Sequence, residues 1–261
     1  MKKLIGILNL ISVVLIIYWN YVVSTGAING NQMGKLSDNI NSLFTPAGYA
    51  FSIWGIIYTG LLINAFWYLI QAFRNKYNDT LAQQGIWLIV ANVASGAWLW
   101  FWLNEQFLIS VFCMLGILIS LMVAIVKLDM EKWDAPKSII GFVWWPISLY
   151  AGWITVATVT NIAAYLKTEN FNALFSEEVW TIIMILITTI LFLYFLYTRF
   201  MREFNAVAVW ALIAIAVEQW EAFQAISYTA ISCAIIITIL SIIQGFKYRK
   251  SNPFYPDFLK K

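Results

Sequence analysis

The chain has no histidine among its 261 residues. That removes the commonest general base and the commonest protein ligand for haem iron and zinc. Charge is scarce as well. Only 11% of residues are Asp, Glu, Lys or Arg, where a soluble domain carries about 25%. Cysteine occurs twice, at Cys113 and Cys233, each inside an apolar run. Both read as small buried hydrophobes that say nothing about redox compartment. No charged residue falls in the middle of a clearly apolar segment; Glu218 and Glu221 come near the end of one. Ion pumps and proton relays place such charges inside the membrane, so the absence argues against a proton-coupled transporter. No internal repeat and no low-complexity segment is present, and no nucleic-acid partner is expected.

What the chain has instead is apolar and aromatic mass. It is 62% hydrophobic and 17% aromatic, with 14 tryptophans. A soluble fold of this size could not bury so much apolar surface, so the lipid bilayer is the expected partner. A spanning helix needs about 20 mostly apolar residues. Eight segments qualify, at about 4–24, 47–72, 83–103, 107–127, 139–165, 179–198, 205–222 and 225–246. The seventh is the weakest, because Glu218 and Glu221 lie in its last turns. The first is too long for the 7–15-residue core of a secretory signal and reads as a retained span. The polar segment 25–46 shows no helical or strand period.

The basic residues support this layout. With the N-terminus in the cytoplasm, eight spans put fourteen of the sixteen Lys and Arg inside and leave Lys35 and Lys167 outside. That is the expected positive-inside bias. The sequence therefore predicts an all-α integral membrane protein with both termini cytoplasmic. The basic tail 247–261 reads as a stop-transfer flank.

Three helical lines of residues stand out. Trp54 and Tyr58 are four apart and share a face. Trp98 and Trp102 are also four apart. Trp153, Ala157 and Asn161 run at i, i+4, i+8, with Gly152 beside them. If the three faces meet, they form a concave site of flat rings with few polar tips, suited to a flat apolar molecule. Asn92, Ser95, Thr155, Thr158 and Thr160 add polar groups, whose ordinary use is hydrogen bonding between helices. Trp19, Trp100, Trp133, Trp180 and Trp220 lie near helix ends and read as interface anchors.

These residues resemble the tryptophan-rich sensory protein (TspO/MBR, translocator-protein) family. The stretch "LFTPAGYAFSIWGIIY" keeps the family's Pro46, Trp54 and Tyr58. It has Leu43 and Thr45 where the family has a loop tryptophan and a first proline. "SGAWLWFW" keeps Trp98 and has Ser95 in an asparagine place. "WITVATVTN" keeps Trp153, Ala157, Thr158 and Asn161 at matching spacing, with the proline displaced to Pro146. The resemblance covers roughly residues 1–168.

Within the expected bundle of about eight helices, the resemblance implies a five-helix ligand-binding core at 1–168; the three extra helices at 169–246 and the basic tail at 247–261 are read from the sequence pattern and have no counterpart in short family members. It also implies a pocket under the first loop, lined by Pro46, Trp54, Tyr58, Ser95, Trp98, Trp102, Trp153, Ala157 and Asn161. No catalytic residue, metal ligand or covalent cofactor is expected. The implied ligand is a hydrophobic small molecule, a tetrapyrrole such as a porphyrin, and the implied role is a sensor or receptor in a bacterial cytoplasmic membrane, with a homodimer as its assembly. A transporter and a porphyrin-degrading enzyme are the competing readings.

Overall fold

In a bilayer, backbone polar groups must be satisfied within the segment or by a closed barrel, so long apolar runs without charge fold as helices. A computed structural model describes residues 1–171 and 174–248. Most of the basic tail, residues 249–261, lies outside the described residues.

The chain begins with α1, Lys2–Ser24, and after a polar loop forms a short α2, Met33–Ile40. A 3-10 turn at Gly48–Ser52 leads into α3, Ile53–Arg74. Next come α4, Asn78–Gln84, and α5, Trp87–Leu103, separated by a bend at Gly85 with φ +52°. α6 is Phe107–Lys127 and α7 is Lys137–Thr168. Three C-terminal helices follow: α8, Glu177–Arg199; α9, Arg202–Glu218; and α10, Gln224–Lys247. The described residues contain no strand.

Seven of these segments are long and apolar enough to cross a membrane. The eighth expected crossing is α9, which has 17 residues and so measures about 25 Å. It starts earlier and stops sooner than its sequence suggests, and Glu218 and Glu221 stand exposed at and beyond its end. It is nevertheless a full member of the bundle. Its first residue, Arg202, reaches Gly245 of α10, and Ala214 near its other end accepts a hydrogen bond from Ala47 in the first loop.

The expectation of no helix in 25–46 is corrected by α2. Its eight residues have weak helix propensity, so a local pattern hardly shows. Packing decides it: Leu36 and Ser37 are buried, and Asn41 ends the helix in the left-handed conformation at φ 52°. Asparagine tolerates that conformation better than most residues.

α7 carries a π-helical turn at Ile140–Trp144, just before Pro146. A proline has no N–H to give the carbonyl four residues back, which here is Phe142. That carbonyl accepts from Asn64 Nδ2 at 2.9 Å instead, and Asn64 in turn exchanges hydrogen bonds with Gln84. An amide pair in the apolar interior is thus explained by a proline on a neighbouring helix.

The bundle has two distinct ends. Lys2, Lys3, Arg74, Lys76, Lys127, Lys132, Lys137, Arg199, Arg202 and Lys247 lie at one of them. The other carries the first loop, with Lys35 and Lys167 as its basic residues. α9 joins the C-terminal helices to α7 by close approach. A Cβ on Gly152 would lie 2.9 Å from the Phe204 carbonyl oxygen and 3.0 Å from the Val207 Cβ. The glycine beside the Trp153 line therefore makes room for α9, not for a ligand.

Candidate functional site

Helical spacing puts each aromatic pair on one face, and helix packing turns the three faces toward one another. Between them lies a slot under the first loop. α3 contributes Trp54, α5 contributes Trp98 and Trp102, and α7 contributes Trp153, Ala157, Thr160 and Asn161. The roof is Met33 and Ser37 of α2 with Pro46 and Phe51 of the loop. No charged side chain is among the lining residues.

The rings form two walls. In one, Trp54 stacks on Tyr58 with centroids 5.2 Å apart and meets Tyr150 and Trp153 edge-on at 6.0 and 6.5 Å. Phe51 closes this wall against Trp153 at 5.9 Å. In the other, Trp98 stacks on Trp102 at 6.2 Å, and Phe107 backs Trp102 at 5.3 Å.

The polar tips divide into those already used and those left over. Trp98 Nε1 donates to Asn161 Oδ1 at 2.8 Å, and Asn161 Nδ2 donates to Ser110 Oγ at 2.9 Å. Asn161 is therefore a strut joining α5, α6 and α7, and it aims the Trp98 ring. Trp102 Nε1 reaches the Met33 carbonyl at 3.5 Å. Trp54 Nε1, by contrast, is buried with no hydrogen-bond partner among the described residues. A buried unpaired donor costs roughly 1–3 kcal/mol, and this one stands in the slot wall. Thr155, Thr158 and Thr160 spend their hydroxyls on carbonyls one turn back in α7. Asn92 links α5 to Ser12 of α1 at 3.0 Å.

Of the residues singled out in the sequence, Pro46, Trp54, Trp98, Trp102, Trp153, Ala157 and Asn161 line the slot together. Two do not. Tyr58 sits one turn deeper, behind Trp54, and Ser95 is buried on α5 beside Tyr150. Met33, Ser37, Phe51 and Thr160 join the lining without having been assigned to it. Phe51 and Thr160 stand three residues from Trp54 and Ala157, so the same periodicity could have included them. Of the end tryptophans, Trp100, Trp133 and Trp220 are exposed.

The slot is narrow. The space between its lining atoms, open mouth included, is about 430 Å³, while the cavity volume proper is about 30 Å³. One water needs about 10–15 Å³ by that measure. A flat ring system enters only if the walls part or the roof lifts.

A family model described as TSPO-like protein matches residues 6–243. The match runs through α8 and α9 and into α10, well past residue 168. No curated protein and no solved structure matches the chain.

Proposed function

The chain belongs to the TSPO-like protein family, and from that premise we propose that it is a membrane-embedded receptor whose slot binds a flat, apolar ligand of the tetrapyrrole class. The observation that carries the reading is the slot itself: tryptophans from three helices face one another across a gap without charge. Flat rings of that kind gain from stacked and edge-on contact with a flat apolar partner. The unpaired Trp54 N–H adds a condition. The ligand should bring a hydrogen-bond acceptor to the α3 side of the slot. Porphyrins meet both demands, with an apolar plane and carboxylate edges. The chain's own residues bind and orient, and no chemical step is assigned to them.

The basic end faces the cytoplasm on this reading, in keeping with the bias of Lys and Arg. The roof of the slot then faces the opposite side. Glu218 and Glu221 are not among the slot residues, so no observation favours a charged path across the bundle.

The test is quenching of tryptophan fluorescence by protoporphyrin IX in detergent, for wild type, Trp54→Ala and Trp153→Ala. Saturable quenching is expected in the wild type. Each variant should bind roughly tenfold more weakly or worse, a difference of about 1.4 kcal/mol. Non-saturating quenching that is the same in all three proteins would rule the porphyrin reading out.

A further inference from the structure

The roof of the slot, residues 25–52, is held from two sides by different parts of the molecule. Its first half is tied to the turn between α5 and α6. Asn29 Nδ2 donates to Asn104 Oδ1 at 3.0 Å, and Asn31 Nδ2 donates to the Leu103 carbonyl at 3.0 Å. Its second half is tied to the C-terminal helices. The Leu43 N–H donates to Glu177 Oε1 at 3.3 Å, and the Ala47 N–H to the Ala214 carbonyl at 3.1 Å. Trp210 Nε1 donates to the Ala50 carbonyl at 3.1 Å, and the Tyr49 ring meets Trp210 edge-on at 5.2 Å. These ties bracket Pro46 and end beside Phe51, the two residues by which the loop covers the slot.

We infer that helices α8 and α9 hold the roof of the slot shut, and that Glu177 and Trp210 are positioning residues whose contacts must release for ligand to enter. The inference rests on the slot being the ligand site. Its physical basis is a comparison of moving parts. The walls are helices packed over several turns. The second half of the roof is one short segment: besides the burial of Leu43, Phe44, Ala47 and Ala50 and the Phe51–Trp153 ring contact, three hydrogen bonds and one ring pair tie it to α8 and α9, and it is the smaller part to displace. Glu177 has a further role. Its other carboxylate oxygen pairs with Lys167, at the end of wall helix α7. One side chain thus joins roof, wall and C-terminal helices.

Coupling of this kind runs both ways. If releasing the ties admits ligand, a ligand that lifts the roof must pull on α8 and α9. The C-terminal helices would then register occupancy of a slot to which they contribute no lining residue. That supplies an output for a receptor without a separate signalling domain.

The experiment uses the full chain and two readouts. Trp210→Phe removes the N–H but keeps a ring against Tyr49. Glu177→Ala removes the acceptor, and Glu177→Gln keeps one and serves as the conservative variant. Ala47→Cys with Ala214→Cys, in a Cys113→Ser, Cys233→Ser background, should form a disulfide lock, since the two backbones already touch.

The first readout is hydrogen exchange of the ligand-free protein. Exchange at residues 43–52 should rise about fivefold in Trp210→Phe, as loss of one hydrogen bond of about 1 kcal/mol implies. It should rise in Glu177→Ala and return toward wild type in Glu177→Gln, with residues 25–33 unchanged. The second is the rate of quenching by protoporphyrin IX. It should rise in the same variants and fall in the oxidised lock, recovering on reduction. Unchanged exchange at 43–52 in both loosened variants would overturn the inference, as would a locked protein that binds as fast as the reduced one. If the reduced wild type does not bind porphyrin at all, the ligand reading fails, and exchange alone decides whether the C-terminal helices hold the roof.

Discussion

Asn161 shows how one amide can shape a site without touching the ligand through it. Both ends of its side chain are engaged, by Trp98 and Ser110. The sequence placed it on the same line as Trp153 and Ala157, and it does line the slot, but its polar atoms are spent within the protein. Removing it would leave the Trp98 indole N–H buried without its acceptor, while the Ser110 hydroxyl keeps its bond to the Phe107 carbonyl. Asn161→Ala should therefore destabilise the fold by about 1–3 kcal/mol, seen as a lower melting temperature in detergent. It should also weaken ligand binding by freeing the Trp98 ring. A variant with wild-type melting would mean that the Trp98 N–H finds another partner. Trp54 is the opposite case. Its N–H is buried and idle, which is what a group kept for a ligand would look like.

Among the elements, α7 does the most. It supplies four slot residues, takes the π turn before Pro146, and receives α9 at Gly152. The contact at Gly152 involves a backbone carbonyl, which cannot rotate away. Gly152→Ala should push α9 off α7 and cost about 1–3 kcal/mol by overpacking. Limited proteolysis of the α8–α9 connection would report it, and unaltered cleavage and melting would show that the helices shift at no cost. The ring lines of α3, α5 and α7 were legible because a 3.6-residue period fixes which residues share a face. What met them from elsewhere was not legible. α2 has too little intrinsic propensity to show in eight residues. The Asn64–Gln84 pair answers a carbonyl freed by a proline some 80 residues away from Asn64. On the roof's side, the hydrogen bonds to α8 and α9 use the backbone groups of Leu43, Ala47 and Ala50, which carry no sequence signature.

For the whole molecule, the eight apolar runs and the sorting of Lys and Arg were readable because lipid imposes length and composition on every crossing. The lengths of helices held by protein were less readable, and α9 is the example. The two-ended charge distribution gives a prediction at this scale. In a background lacking both native cysteines, Lys35→Cys should react with a membrane-impermeant maleimide in intact cells. Lys76→Cys should react only after the cells are opened. The reverse pattern would invert the orientation and place the roof of the slot in the cytoplasm.

The short α9 has one more consequence, which concerns biogenesis. Its buried positions include Ala208, Ala211, Ala214 and Ala216, and its ends carry Arg202, Glu203 and Glu218. Such a segment is poorly retained by lipid alone and is held by close packing against neighbouring helices. One of those neighbours, α10, is synthesised after it. Stable integration of α9 must therefore wait for the last helix, and with it the closing of the roof that α9 holds. A chain interrupted before α10 would leave the ribosome with its aromatic slot built and its cover unfastened.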